Sequence, residues 1–385
     1  VRLIFILINI SIFPLPDSRG DAFNWEWHAW FWANSGISTI LNEFIIHSHG
    51  NSWTYAKIIS YIYVFTGRNY LLILCLNLSI SLLTLHWLIK IVKELNFTEQ
   101  QKNITLICFI FFPGIINYSS VSLREVYIIF MISLIIFYLI KWTNKFDIKY
   151  FFILAFLFYI NNYLHEGIFT GIIILFCVLI FNYIMNSINN FNYKNFSILT
   201  LSLSSILFFF YQFYSSIPYL ELFITEAQKS FQGIPQCERV PGCENKNLNF
   251  FESLMNKTKI SHDGSSSYPN YLIPDSQIET ILFTPLRMVY FYIGPFLIDL
   301  KKITHYYVYL DSLFYTFFLG VIIFNFKKII SNKYFLILFI FLLYFTLIFS
   351  FGTSNFGSSY RHRVKFILFF IILSAPFIDK YVNVL

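Results

Sequence analysis

Charge is scarce in this chain: only 12% of its 385 residues are Asp, Glu, Lys or Arg, about half the fraction of a soluble domain. With 57% hydrophobic residues, that scarcity excludes an ordinary soluble fold. The apolar runs are continuous and not alternating, which excludes a transmembrane β-barrel. No internal repeat is visible and the strongest charges avoid mid-span positions, which argues against a transporter or flippase for lipid-linked oligosaccharides. A cleavage site is missing too. LIFILINISIFPL runs into PLPDSRGD, which has no A-x-A-like cleavage sequence. That first run is short for a span and starts almost at the first residue, so it reads as a shallow helix or as a span clipped at its start. There are only five cysteines. Cys75, Cys108 and Cys177 fall in apolar runs and read as buried packing residues. Cys237 and Cys243 bracket CERVPGC in a polar loop, where a disulfide would need an oxidising compartment; zinc lacks the second Cys/His pair it needs.

What is present is a succession of apolar runs long enough to cross a bilayer. They predict an all-α polytopic membrane protein, one membrane domain over 1–385, with about ten spans near 3–16, 69–89, 103–118, 124–140, 150–164, 168–185, 196–214, 309–326, 334–351 and 364–380. Lysines orient them. Lys90, Lys93, Lys102, Lys141, Lys145, Lys149, Lys327, Lys328 and Lys333 lie in three short connections, which the positive-inside rule makes cytoplasmic. Both termini are then expected in the cytoplasm. The parity holds if 281–300 is re-entrant or interfacial, and Pro285, Gly294 and Pro295 suit a broken segment. Residues 17–68 and 215–280 become extracytoplasmic loops.

Arginine does not follow lysine. Of eight arginines only Arg2 falls inside, whereas Arg19, Arg68, Arg124, Arg239, Arg287, Arg361 and Arg363 fall on the outer side or its boundary. Guanidinium binds phosphate or carboxylate in two-point fashion, so an anionic ligand on that face is expected. The net charge of +7 is no sign of nucleic acid, because its placement follows membrane topology.

Taken singly, each outer feature has a plain explanation. Arg124 and Glu125 can be an ion pair at a helix end, and His165 and Glu166 a satisfied turn. Arg361 and Arg363 can snorkel to lipid headgroups. Trp25, Trp27, Trp30 and Trp32 fit an interfacial anchor, and His47 and His49 a solvated loop. What sets them apart is that carboxylates of the first loop, Asp17 and Asp21, and the late cations Arg361, His362 and Arg363 converge on one face. A carboxylate can take a proton from a hydroxyl acceptor, and guanidinium can steady a departing phosphate. That is the chemistry of sugar transfer from a polyprenyl phosphate or diphosphate.

At these residues the chain resembles the C-type membrane glycosyltransferases. PDSRGDAFNWEWHAWF resembles their acidic loop after the first span. FFPGIINYSSVSLREV resembles their Pro-ended helix, short outer turn and acidic helix start. GTSNFGSSYRHRVKF resembles a late Asn-Gly-Tyr-Arg turn of bacterial polysaccharide proteins. The resemblance implies an inverting transfer outside the bacterial inner membrane, with no cofactor and at most a weak metal dependence. It implies Asp17 as base, with Asp21 second. It implies Arg361 and Arg363, helped by Arg124, on the carrier phosphate. Glu125, His165, Glu166, Arg287, Tyr360 and His362 would complete substrate binding. The implied partners are a polyprenyl-linked sugar donor, a glycan, lipid or protein acceptor, and membrane lipids. A repeat-unit polymerase of the O-antigen or capsule type would use the same arginines.

Overall fold

The computed structural model describes residues 1–46, 53–189 and 266–382. Within them the chain is helical, and the only strand-like pairing among the described residues is an isolated bridge between Ser267 and Asn355. The order is α1 (Arg2–Ser11), α2 (Asp21–Asn34), α3 (Ile37–Ile46), α4 (Thr54–Thr66), α5 (Tyr70–Glu94), α6 (Glu99–Phe111), α7 (Pro113–Ser119), α8 (Glu125–Lys145), α9 (Ile148–Asn162), α10 (Glu166–Phe169) and α11 (Gly171–Asn189). After the undescribed stretch come α12 (Gln277–Ile293), α13 (Ile303–Phe324), α14 (Phe326–Ser331), α15 (Lys333–Phe351), α16 (Phe356–Arg363) and α17 (Ile367–Val382).

Local chemistry sets these boundaries. Asn69 caps α5, Thr98 and Gln101 form a reciprocal capping box on α6, and Asn332 and Asn355 cap α15 and α16. Pro113 cannot continue α6, so that run becomes two helices with Phe112 extended between them. Among the described residues, α5, α8, α13 and α15 are each long and apolar enough to cross a membrane.

The helices surround α17, whose residues Ile367 to Leu373 are all fully buried. A helix apolar on every face belongs in a core. In lipid its association gains from close packing and not from removal of water. The lysine-bearing ends gather at one end of the bundle: Lys141 pairs with Glu94 at 2.7 Å, and Gln101 donates to Asp379 at 3.4 Å.

The segment 281–300 becomes α12 and a return. Tyr292 shares a hydrogen bond with Thr346 at 2.9 Å, five residues below the end of α15, so α12 reaches into the bundle. Ser312, nine residues into α13, donates to the Gly294 carbonyl at 2.7 Å. The chain therefore turns back after Gly294 before α13 descends. Ser266 lies 2.9 Å from His305, which puts the approach to α12 and the start of α13 on the same face.

Several expectations change. The first run forms ten helical residues, about 15 Å, half a hydrocarbon core. Arg2 donates to Ser81 at 2.7 Å, in the middle of α5, so it sits at mid-depth and not on the lysine end. Cys75 and Cys177 are exposed on the outside of the bundle and are not core residues. The span near 196–214, most of the 215–280 loop and the Cys237–Cys243 pair lie outside the described residues.

Candidate functional site

The platform is the turn between α7 and α8, where Asn117 to Glu125 are all buried. Its polar groups grip the first loop: Asn117 donates to the Pro16 carbonyl at 3.3 Å, and Ser122 to that of Ala22 at 3.3 Å. Asp17 lies between, with a left-handed backbone (φ 64°) that Asp adopts more readily than most residues. Tyr118 donates to Asp17 Oδ2 at 2.8 Å. Burial raises the Asp17 pKa above the ordinary carboxylate value, and Arg361 and the Tyr118 hydrogen bond only partly offset it.

Arg361 is the hub. Its Nε donates to Glu125 Oε1 at 2.6 Å, and its Nη1 donates to Asp21 Oδ2. Glu125 is fully buried at the first turn of α8, where the helix dipole favours an acid, whereas Asp21 is 60% exposed. Burial works against the charge on Arg361, but Glu125, Asp21 and Asp17 outweigh it and raise its pKa above the usual guanidinium value. Arg361 Nη2 and Glu125 Oε2 are among the buried polar atoms here that have no hydrogen-bond partner. Trp25 walls the site, with the Arg124 guanidinium 4.6 Å and the Arg361 guanidinium 5.0 Å from its ring centre. Burial and the neighbouring Arg361 lower the Arg124 pKa to about 10.

A second group adjoins it. His165 opens α10, and its ring lies 5.3 Å from His362 and 4.9 Å from Phe349. His362 Nδ1 is 2.7 Å from the buried Lys365, whose charge reaches Glu125. Glu166 is near enough to act on Arg124. Tyr360 is buried between Tyr118 and Tyr307, at ring separations of 5.2 and 6.1 Å. Asp17, Asp21, Arg124, Glu125 and Arg361 thus meet in one place, with His165, Glu166, Tyr360 and His362 around them.

Arg363 and Arg287 do not join them. Arg363 is fully buried, bonded to Asp311 Oδ2 at 2.9 Å and to the carbonyls of Tyr292, Gly294 and Val308 at 2.8–2.9 Å. Its donors are used up in clamping the α12 return to α13, which rules out the carrier phosphate as its partner. Arg287, also fully buried, donates to the carbonyls of Phe351 and Thr353 at 3.0 and 2.9 Å, holding α12 on the end of α15. Arg68 pairs with Glu26 at 2.7 Å and is a tie within the first loop.

Sequence reasoning missed Trp25 as a site wall, Tyr118 as the partner of Asp17, and Lys365. Tyr118 and Lys365 sit inside the stretches already singled out, directly before a serine-rich turn and two residues after Arg363. Among the described residues, no group of three or more His, Cys, Asp or Glu side chains is arranged to hold a metal ion. Comparison with protein-family profiles, curated proteins and solved structures returns no match.

Proposed function

We propose that this protein is a membrane glycosyltransferase. It moves a sugar from a polyprenyl phosphate or diphosphate to an acceptor at the extracytoplasmic face, in the synthesis of surface polysaccharide or glycoconjugate. The observation that carries the reading is the juxtaposition of Asp17, partly exposed and with a raised pKa, and Arg361, whose Nη2 has no partner.

The acceptor hydroxyl attacks the anomeric carbon while its proton passes to Asp17. The bond from that carbon to the phosphate oxygen breaks, and the departing oxygen takes the electron pair. Arg361 stabilises it through Nη1 and Nη2, with Arg124 close by. Glu125 stays on Nε and fixes the plane of the guanidinium. Asp21, being 60% exposed, gives up its ion pair at little cost when phosphate arrives.

The test compares surface glycan from wild-type cells with that from cells lacking the gene. A glycan shortened within its repeat supports a transferase. A single capped repeat assigns the same site to a repeat-unit polymerase. An unchanged glycan in the deletion strain overturns both readings.

A further inference from the structure

The end of the bundle opposite this site carries a cavity of about 450 Å³. It is lined by Lys90, Lys93 and Glu94 on α5, by Phe137 and Asn144 on α8, and by Tyr334 on α15. Glu94 is neutralised by Lys141 at 2.7 Å. No carboxylate among the described residues pairs with Lys90 or Lys93, so the cavity has an excess of positive charge. Phe137 and Tyr334 give the lining an aromatic part, and beside it Lys90 Nζ lies 4.1 Å from the centre of the Trp87 ring, which meets Phe137 edge-on at 5.1 Å.

The surface of α5 leads into it. Leu82, Leu83 and Ile89 are 54%, 46% and 38% exposed. Helical spacing puts Leu83, Trp87 and Lys90 on one stripe, and Leu82, the exposed His86, Ile89 and Lys93 on the next. Each stripe runs from lipid-facing aliphatic side chain to cation at the end of a membrane-spanning helix. That sequence of apolar tail contact and cationic head contact matches a phospholipid lying along the helix.

We infer that this cavity binds the phosphate diester of an anionic glycerophospholipid between Lys90 and Lys93, with the acyl chains along the exposed face of α5. Asn144 Oδ1 already accepts from Tyr334, which leaves the Asn144 amide N–H groups on the cavity lining to meet the hydroxyls of a glycerol headgroup. A zwitterionic headgroup fits less well, because its ammonium would stand against two lysines. The site is independent of the chemistry at the opposite end of the molecule.

The test is native mass spectrometry of the full chain released from mild detergent, with phosphatidylglycerol, phosphatidylcholine or inorganic phosphate added. Phosphatidylglycerol is retained in preference to phosphatidylcholine, and retention falls about fivefold for each lysine replaced in Lys90→Gln and Lys93→Gln. Lys149→Gln, at the same end but paired with Asp147 at 3.8 Å outside the cavity, leaves retention unchanged. The single Lys93→Gln variant keeps the test usable if the variant combining Lys90→Gln with Lys93→Gln elutes as aggregate. Equal retention of the two lipids, or undiminished retention in Lys93→Gln, overturns the inference. Displacement of lipid by inorganic phosphate assigns the cations to a soluble anion and also overturns it.

Discussion

Arg361 and Glu125 are 236 positions apart, yet Nε and Oε1 meet at 2.6 Å in a pair whose acid is fully buried. The contact joins the start of a membrane-spanning helix to the short helix that feeds the central one. It fixes which edge of the guanidinium faces the first loop. On the proposed reading Glu125 is a positioning residue, and Arg361 Nη2, which has no partner, is the group left for a ligand.

Replacing Arg361 with Lys tests that division. One ammonium cannot reach Glu125 and Asp21 together and offers no two-point grip on phosphate. Glycan product per folded protein is expected to fall steeply while the protein remains in the membrane. Glu125→Ala behaves differently, because it strands a buried cation. It is expected to cost about 3–5 kcal/mol, read as a lower unfolding temperature in detergent. Full activity in Arg361→Lys would reduce the arginine to a strut.

Asp17→Asn separates catalysis from folding. Asn tolerates the left-handed backbone at this position, whereas Ala adds about 1–2 kcal/mol of strain. Because burial raises the folded-state pKa of Asp17, folding disfavours its charged form. The resulting cost is fully present above the raised folded value and absent below the unfolded one, near about 3.9. Asp17→Asn is therefore expected to abolish product, yet to unfold at a higher temperature than wild type at neutral pH. That advantage disappears as pH falls through the raised value. The wild-type rate falls across the same window, as the base takes up its proton. Retained product in Asp17→Asn transfers the role of base to Asp21.

Much of this arrangement is legible in the sequence, and the parts that are not have identifiable reasons. Helices α5, α8, α13 and α15 announce themselves as long apolar runs, three of them ending at lysines. The return after α12 is written in Gly294 and Pro295, whereas Pro285 lies inside α12, which continues through it. The gathering of Asp21, Glu125 and Arg361 follows from putting their segments on one face. Grouping Arg363 with Arg361 ignored helix geometry. Two residues apart on α16 means about 200° of rotation, so the two side chains leave on opposite sides. A signal for the true partner was available: Asp311 stands alone in an apolar run, and a carboxylate at that depth needs a cation. The shortness of α1 was legible in LIFILINISIFPL, but its depth was not, because the run reads as apolar throughout.

The Arg363–Asp311 pair predicts a stability phenotype. Both side chains are fully buried, so Asp311→Ala leaves a guanidinium with carbonyl partners only and is expected to cost about 3–5 kcal/mol. Arg363→Met combined with Asp311→Leu removes both charges at similar volume and is expected to regain much of that loss. Thermal unfolding of the purified variants reads both effects. If Arg363→Met alone left stability intact and removed only activity, the clamp would be the wrong description.

Gly114 offers the sharpest geometric test of how the clamp and the site are coupled. Its N–H donates to Asp311 Oδ1 at 3.0 Å, just after the Pro113 break. A Cβ there would stand 2.8 Å from that same oxygen and 2.9 Å from Val364 Cγ2. Something has to move, and what moves is the carboxylate holding Arg363 or the residue that follows Arg363. Gly114→Ala is expected to cost about 1–3 kcal/mol as overpacking. It should also lower glycan product, because α16 carries Arg361 with it. Gly320 on α13 is the control: a Cβ there meets nothing within 4 Å, so Gly320→Ala should stabilise by about 0.5–1 kcal/mol through helix propensity and leave product unchanged. If Gly114→Ala instead unfolded at the same temperature as Gly320→Ala, with normal product, α7 would not be pressed against the clamp and the coupling would be lost.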